Sequence, residues 1–294
     1  MSGKEFFVSR WEKLGWKHKN IRPRQAIRIN VINTKKVNVI RRLEALGIKL
    51  EKIPFLENGY WICESEFSVG AISEYLLGLY AIQEAAAQIP ATLFIELKDK
   101  TVLDACAAPG GKTVQLAYLM QNTGAIVALD VKKQRLTALS NQLERCYVKN
   151  TIVYNLDARQ ASKLKIMFDC ILLDVPCSGN FVIDREWFNR RTITDVEQNA
   201  SLQREILTEA AKILKGSGEI VYSTCSLEPE ENELNIDWAI ENLNLQVEKV
   251  NCYGEKAPTN IFGKQLNSQI ENCRRIWPGI TQGFFVCRLK RVGA

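Results

Sequence analysis

Two cysteines stand directly after runs of apolar residues, at points where the pattern predicts that strands end. Cys177 lies in an Asp-Val-Pro-Cys-Ser string that follows the run 170–173, and Cys225 lies in a Ser-Thr-Cys-Ser string that follows the run 219–222. In an open α/β sheet the ends of the parallel strands border one crevice, where ligands bind. The sequence therefore predicts two sulfur atoms that face one substrate.

Two facing sulfurs are compatible with a redox pair, a metal site or nucleophilic chemistry. The chain has nine cysteines, none of them in Cys-x-x-Cys spacing, and its one histidine is His18. Because zinc sites use closely spaced cysteine and histidine ligands, we expect no metal site. Beyond the N-terminus the chain has no imidazole, so acid–base chemistry there falls to carboxylates, thiols or lysines.

A loop of small residues, Asp104–Thr113, follows the first strand of an alternating series of strands and helices. Its Gly-Lys-Thr end resembles a P-loop, but that motif requires glycine where this chain has Cys106. The loop predicts instead a turn that lets an adenosine cofactor approach the backbone. Asp130 and Asp157, at the ends of the next two strands, are expected to bind ribose hydroxyls and the adenine amino group, with Arg135 beside them.

Positive charge is concentrated at the N-terminus. Residues 1–50 contain 13 Lys and Arg against three Glu, whereas the whole chain has a net charge of +6. A basic segment beside a near-neutral body is typical of a module that binds a polyanion, and a solvated surface without a partner is the alternative. The candidate phosphate contacts are Arg22, Arg24 and Arg28, together with Arg185 after the Pro-Cys string.

Hydrophobic patterning predicts a small α+β module followed by a larger α/β domain. A β-α-β-β unit is predicted over residues 20–65, and residues 70–98 are predicted to be helical. From residue 101 strands and helices alternate, which is typical of a mostly parallel sheet flanked by helices. We assign residues 1–75 to the module and residues 76–294 to the domain.

The chain shows no sequence signal for a membrane. No apolar stretch approaches the roughly 20 residues of a membrane span, and the N-terminus lacks the apolar core of a signal peptide. We therefore expect a cytoplasmic protein without a membrane partner.

Together these motifs resemble those of the RNA cytosine-5 methyltransferases of the NSun/Fmu group. The matching strings are Ala-Ala-Pro-Gly-Gly-Lys-Thr at 107–113, Asp-Val-Pro-Cys-Ser-Gly at 174–179 and Thr-Cys-Ser at 224–226, with shorter matches at 26–30, 80–83, 228–233 and 283–285. The resemblance implies a Rossmann-like domain that uses S-adenosylmethionine (SAM) and a small N-terminal RNA-binding domain. One departure is Asn180, where family members commonly have a small residue.

The resemblance also implies roles for individual residues. Carbon 5 of cytosine is a poor nucleophile until a nucleophile adds at carbon 6, and a thiolate suits that addition. The resemblance assigns this attack to Cys225, release of the product to Cys177, and an interaction with the N3 edge of the base to Asp174. The implied cofactor residues are Ala107, Ala108, Pro109, Gly110, Gly111, Lys112, Thr113, Asp130, Arg135, Asp157 and Asp174.

The substrate that the resemblance implies is RNA. Transfer RNA is favoured because the chain is compact and carries no appended domain, and ribosomal RNA is the alternative. Two other classes of protein stay open from the residues alone. One is a nucleotide hydrolase that uses residues 111–113, and the other is a non-catalytic RNA-binding protein on the same scaffold.

Overall fold

The computed structural model describes residues 2–32 and 34–293. Its helices are α1 (Lys4–Lys13), α2 (Lys36–Ala45), α3 (Ser73–Leu76), α4 (Gly111–Leu119), α5 (Lys133–Arg145), α6 (Trp187–Arg190), α7 (Ile193–Ile213) and α8 (Glu233–Asn242). Its strands are β1 (Ala26–Ile29), β2 (Lys49–Lys52), β3 (Gly59–Glu64), β4 (Tyr80–Ile82), β5 (Thr101–Asp104), β6 (Ala125–Leu129), β7 (Thr151–Tyr154), β8 (Phe168–Asp174), β9 (Leu214–Thr224), β10 (Leu245–Glu248), β11 (Glu255–Lys256), β12 (Asn260–Ile261), β13 (Lys264–Gln265), β14 (Arg274–Ile276) and β15 (Phe284–Arg291). Short 3-10 turns cover Ala86–Gln88, Pro90–Leu93, Ala158–Leu164 and Ser268–Asn272.

The larger sheet has the alternating α/β architecture that the sequence predicts. Strands β5 to β9 are parallel and lie in the order β9-β8-β5-β6-β7. Beyond β9 the sheet continues with antiparallel β15, and β10 and β14 pair with different ends of β15. Strand β11 pairs with β14 at the edge. The predicted fold class, a mostly parallel sheet flanked by helices with a small α+β unit before it, is confirmed.

The central parallel strands β5, β6 and β8 are buried on both faces because their side chains alternate between two cores. Leu103 and Ile171 pack with residues of α7 and α8 on one face. Val102 and Leu172 pack with residues of α4 on the other face. Two-sided burial explains why these strands are almost continuously apolar in the sequence. An aspartate ends or directly follows β5, β6 and β8, which places three carboxylates at one edge of the sheet.

Strands β1 to β4 form a separate antiparallel sheet in the order β2-β3-β1-β4. The predicted β-α-β-β unit is present as β1, α2, β2 and β3. The prediction of helix over residues 70–98 is wrong, since this segment contains α3, β4 and two 3-10 turns. Gly78 has a φ of +68°, which interrupts a helix, and Pro90 lacks an amide hydrogen. Because β4 pairs with β1, the small sheet ends at Ile82 rather than at residue 75.

Helix α1 packs on the larger domain, whereas the sequence assigned it to the N-terminal module. Phe7 and Trp11 are fully buried and contact Trp187. Trp11 Nε1 donates to Glu228 Oε1 at 2.6 Å, and Arg10 forms an ion pair with the same carboxylate at 2.9 Å. The aromatic side chains of α1 therefore complete a core of the larger domain.

A buried ion pair joins α8 to β14. Arg275 Nε donates to Glu233 Oε1 at 2.7 Å, and Arg275 Nη2 contacts the other carboxylate oxygen. Arg275 Nη1 also donates to the carbonyl of Leu227 at 2.8 Å. Both charged side chains are almost completely excluded from solvent. Loss of either partner would leave an uncompensated charge in a dry site.

We expect Glu233→Gln to lower the free energy of unfolding by about 3 kcal/mol, because Arg275 would stay buried without its counter-charge. Urea unfolding followed by circular dichroism measures this change. The control is Glu271→Gln, whose carboxylate pairs with Lys256 on the surface, and we expect it to cost under about 0.5 kcal/mol. Equal changes in the free energy of unfolding for the two substitutions would contradict the expectation that the buried pair contributes more than the exposed one.

Candidate active site

Neighbouring parallel strands bring the two predicted sulfur atoms together. Strands β8 and β9 are in register, with Asp174 beside Ser223 at their carboxyl ends. The Pro-Cys loop (residues 175–180) and the Thr-Cys loop (residues 225–231) leave these ends side by side. Cys177 Sγ lies 3.2 Å from Cys225 Sγ, and both side chains are partly exposed.

A buried carboxylate links the two loops. Glu231 Oε1 accepts a hydrogen bond from the Ser178 amide at 2.8 Å, and Oε2 accepts one from Ser178 Oγ at 2.6 Å. Ser178 Oγ in turn lies 3.0 Å from Ser226 Oγ. Gln203 on α7 donates to Glu231 at 3.2 Å and to the carbonyl of Pro176 at 2.8 Å. We call this set of hydrogen bonds the Glu231 clamp, and burial raises the pKa of its carboxyl to about 7.

Two buried asparagines add further hydrogen bonds to the Thr-Cys loop. Asn180 Nδ2 donates to the carbonyl of Cys225 at 2.7 Å, so the residue that departs from the family pattern holds the Thr-Cys loop. Asn232 accepts from Thr224 Oγ1 at 2.5 Å and donates to the carbonyl of Ser226 at 3.0 Å. Sequence reasoning assigned no role to these asparagines or to the Glu231 clamp. The only signal was the family match at residues 228–233.

Asp174 lies between a cation and a hydroxyl. Lys112 Nζ donates to Asp174 Oδ2 at 2.7 Å, and Ser223 Oγ donates to Oδ1 at 2.8 Å. The side chain of Asp174 is 31% exposed, so a ligand in the crevice can reach it. Lys112 therefore contacts Asp174 from the cofactor loop and connects that loop to the end of β8.

The contact between the two sulfurs affects the protonation of Cys177. The hydrogen bond with Cys225 raises the pKa of Cys177 well above that of an ordinary thiol, and burial raises it further. Cys177 therefore stays a thiol at neutral pH. The hydrogen bond between the sulfurs allows either of them to be the donor.

The cofactor loop turns tightly before α4 begins at Gly111. Gly110 has a φ of +104°, and a Cβ at this position would lie 2.9 Å from Leu139 Cδ1. Only glycine fits this conformation and this space without strain. Arg135 on α5 donates to the carbonyl of Ala108 and so holds the middle of the loop.

Two residues that the sequence assigned to ligand contacts are instead buried in the protein. Thr113 is fully buried, and its Oγ1 donates to Asp104 Oδ2 at 2.7 Å rather than to a cofactor. Arg28 is 2% exposed and donates to the carbonyl of Gly111 at 2.9 Å and to Gln115 Oε1 at 3.1 Å. It cannot contact an RNA phosphate from this position, because the small sheet packs its guanidinium against α4. Burial lowers the pKa of Arg28 to about 10.

A cavity of about 210 Å³ lies beside the cofactor loop at the carboxyl edge of the sheet. The structure brings three of the predicted cofactor residues together in its lining, namely Asp130, Arg135 and Asp157. Asp130 pairs with Arg135 at 3.2 Å, and Asp157 pairs with Arg159 at 2.7 Å. The hydrogen bond from Arg159 contributes most to lowering the pKa of Asp157, which keeps this carboxylate ionised.

The lining of this cavity carries both acidic and basic side chains, with Asp130 and Asp157 beside Lys132, Arg135 and Arg159. Burial raises the pKa of the Cys106 thiol well above its usual value, and the nearby carboxylates of Asp104, Asp174 and Asp130 raise it further. SAM carries hydroxyl and amino groups that carboxylates can bind, so the two aspartates, the cavity and the glycine turn fit it.

The remaining predicted RNA contacts differ in their surroundings. Arg24 pairs with Glu51 at 2.6 Å and lies 4.6 Å from the centre of the Trp61 ring. Arg22 and Arg185 are exposed and line one groove, although they are far apart in the sequence. Of the four predicted arginines, these two are therefore the best placed to meet a polyanion.

The fold is the one that SAM-dependent methyltransferases share, and comparison with known proteins gives the family. A protein-family model described as "16S rRNA methyltransferase RsmB/F" matches residues 91–290. This match shows that the chain belongs to the RsmB/F family, in agreement with the predicted resemblance to RNA cytosine-5 methyltransferases. A methyltransferase homolog from Pyrococcus horikoshii superposes with a TM-score of 0.89 at 34% identity, covering 98% of this chain and 95% of that one. NSun6 from Pyrococcus horikoshii, solved with SFG, shares the fold, with a TM-score of 0.82, 24% identity, and coverage of 99% and 95%.

Curated relatives are longer than this chain. The ribosomal RNA small subunit methyltransferase F of Escherichia coli O157:H7 is 35% identical over 92% of this chain and 58% of its own length. The 28S rRNA (cytosine-C(5))-methyltransferase of Mus musculus is 32% identical over 90% of this chain and 35% of its own length. The chain thus spans about a third to three fifths of these relatives. None of the helices in the described part of the chain has the length and apolar character needed to cross a bilayer.

The Glu231 clamp should make stability depend on pH. The pKa of Glu231 is raised from 4.5 to about 7 by folding, so the folded protein keeps a proton that the unfolded chain loses. This contribution to stability is complete below about pH 4.5 and is lost as the pH rises through 7. We expect the wild type to lose about 2 kcal/mol from this group between about pH 5.5 and 8.5, and Glu231→Gln to lose correspondingly less.

Urea unfolding of both proteins at the two pH values tests this expectation. Glu271→Gln, which removes an exposed carboxylate, is the control and should keep the wild-type pH dependence. The same pH dependence in Glu231→Gln and in the wild type would contradict a raised pKa at Glu231.

Proposed function

We propose that this protein methylates carbon 5 of cytosine in RNA, with SAM as the methyl donor and a covalent adduct to Cys225 as the intermediate. The observation that carries the proposal is the 3.2 Å separation of Cys177 Sγ and Cys225 Sγ at the ends of adjacent strands that also present Asp174. Membership of the RsmB/F family supports the same reaction. The residues below act as a set, because each lies within hydrogen-bond reach of another.

The cavity beside the cofactor loop is the proposed SAM site. Asp130 would accept hydrogen bonds from the ribose hydroxyls, and Asp157 would accept one from the adenine amino group. When bound, SAM supplies an electrophilic methyl group to carbon 5. Lys112 is paired with Asp174 rather than directed to a phosphate, so the geometry gives no support to the nucleotide-hydrolase alternative.

Cys225 is the proposed nucleophile. Its Sγ lies 3.2 Å from Cys177 Sγ, so the Cys177 thiol is within reach to donate a hydrogen bond to the attacking sulfur. Bond formation between Sγ and carbon 6 moves electron density onto carbon 5 and the N3 edge of the base. The Glu231 clamp and Asn180 fix the loop that carries Cys225, so the sulfur is held in place before the base arrives.

Asp174 is proposed to bind the N3 edge of the cytosine. Lys112 Nζ, 2.7 Å from Asp174 Oδ2, orients this carboxyl at the end of β8. In its protonated form the carboxyl would donate a hydrogen bond to N3 as negative charge develops there. The ion pair thus connects the cofactor loop to the target base.

Cys177 is proposed to complete the reaction. Its raised pKa has the hydrogen bond with Cys225 as its largest cause. Once Cys225 is bonded to carbon 6, that sulfur no longer holds the negative charge which kept Cys177 protonated. Cys177 can then lose its proton more readily and remove the hydrogen from carbon 5. The electrons of that C–H bond restore the double bond and expel Cys225.

The names of the relatives support ribosomal RNA as the substrate class, because both the mouse and the bacterial proteins are named for rRNA. The preference for tRNA stays a prediction, and so does a location in the cytoplasm. Bisulfite mapping of both RNA classes from cells with and without the gene would identify the modified cytosines.

Replacement of the nucleophile is the first test. We expect Cys225→Ala to lower methyl transfer by about 1000-fold or more, because the proposed nucleophile for carbon 6 is removed. Labelled methyl transfer from SAM to total rRNA and total tRNA measures the loss. The control is Cys63→Ala, which removes an exposed cysteine of the small sheet and should keep full activity. Unchanged transfer in Cys225→Ala would contradict the proposed mechanism.

Replacement of the second cysteine should give a different result. With Cys177→Ala we expect the adduct to form but not to resolve, so a protein–RNA band should survive denaturing electrophoresis. The double variant Cys177→Ala/Cys225→Ala should give no such band, since the attacking sulfur is gone. Normal turnover of Cys177→Ala without any adduct would show that Cys177 does not release the product.

A further inference from the structure

A groove of about 760 Å³ lies where the N-terminal segment meets the chain after the Pro-Cys loop. We call it the N-terminal groove. The residues that line it are Lys4, His18, Asn20, Ile21, Arg22, Pro23, Phe181, Val182, Arg185, Phe188 and Asn189. It is separate from the SAM cavity, with which it shares no lining residue.

One wall of the groove is aromatic. Phe181 and Phe188 are stacked at 5.5 Å between ring centres, and the His18 ring lies 5.0 Å from Phe181. The phenylalanines are half-buried, so each still presents part of its ring to the groove. Burial lowers the pKa of His18, and the charge of Lys4 lowers it further against the opposing effect of Glu12, so the imidazole is neutral at pH 7. A neutral ring can stack on a nucleobase as the phenylalanines can.

The rim of the groove is positively charged. Lys4, Arg22 and Arg185 are all exposed and line it from three different segments. The described residues that line the groove include no aspartate or glutamate. Lys4 Nζ lies 6.0 Å from the centre of the Phe188 ring, so the cationic rim and the aromatic wall are contiguous.

The groove is connected directly to the loops of the reactive sulfurs. Phe181 follows Asn180, whose side chain donates to the carbonyl of Cys225 at 2.7 Å. Trp187, next to Phe188, donates from Nε1 to the carbonyl of Ser178 at 2.8 Å. The aromatic wall of the groove is therefore fixed to the same loops that carry Cys177 and Cys225.

We propose that the N-terminal groove binds a single-stranded nucleotide that flanks the target cytosine, with its base on Phe181 and Phe188 and its phosphates at Arg22 and Arg185. Aromatic walls with cationic rims are the features by which proteins bind unpaired nucleotides. A target base that leaves its stack needs such a hold on the neighbouring strand. This inference rests on the proposed function, since it assumes an RNA substrate, and it adds that the RNA must be unpaired beside the target.

The test measures binding of a fluorescein-labelled single-stranded RNA decamer of mixed sequence that contains cytosine, using fluorescence anisotropy on the full chain. We expect Arg22→Ala/Arg185→Ala to weaken binding at least about tenfold at physiological salt. The slope of log affinity against log salt should fall by about 1.4, the value for two phosphate contacts on a single strand. The matched control is Lys98→Ala/Lys149→Ala, which removes two exposed positive charges outside the groove and should change affinity by less than about twofold.

Phe188→Leu tests the aromatic wall while it keeps an apolar side chain of similar size. We expect this variant to bind the single strand about tenfold more weakly than the wild type does. Its affinity for the same strand annealed to its complement should equal that of the wild type. The rise in melting temperature on addition of SAM confirms that each variant is folded. Equal losses in the groove and control double variants, or no loss in Phe188→Leu, would overturn the proposal.

These measurements separate the inference from the proposed function. Binding of the decamer does not require methyl transfer. An inactive wild type would therefore refute the proposed reaction, and the affinities of the groove variants would still decide whether the groove binds RNA. If the wild type methylates RNA and the groove variants match it in both affinity and activity, the proposed role of the groove is refuted. The proposed reaction is then unaffected.

Discussion

The loops that follow the adjacent strands β8 and β9 could diverge, and the buried carboxylate of Glu231 holds them together. Glu231 accepts hydrogen bonds from the backbone and side chain of Ser178, and Ser178 in turn contacts Ser226. These two serines each follow one of the paired cysteines, so the 3.2 Å sulfur separation depends on bonds made one residue away. The clamp is almost wholly buried, which strengthens each bond and makes a missing partner costly.

The parallel core of the fold follows from the sequence because two-sided burial makes the central strands almost continuously apolar. Strand β6, for example, ends at Leu129, directly before Asp130, where the sequence predicts the end of a strand. The segment 70–98 was not predictable in the same way, since β4 is a strand only through its pairing with β1. Helix α1 was misplaced for a related reason, because its aromatic residues find their partners almost two hundred residues away.

The site was predictable where position along a strand determines what a side chain faces. Asp174 and Asp130 lie at or just after the carboxyl ends of parallel strands, so their approach to one edge follows from topology alone. Glu231 and Arg28 were not predictable, because charged residues are exposed in most proteins and only their partners reveal burial. The burial of Glu231 becomes clear from its hydrogen bonds with Ser178, and that of Arg28 from its hydrogen bond with the Gln115 side chain.

Arg28 has a consequence for how the chain can be divided or exchanged. It lies on a strand of the small sheet, yet its guanidinium satisfies Gly111 and Gln115 at the start of α4. A chimera that replaced the small sheet with that of another protein would leave Gln115 Oε1 without this buried donor unless the new strand brought its own arginine. The two sheets are therefore not interchangeable modules, and a graft across this junction must carry both sides of the contact.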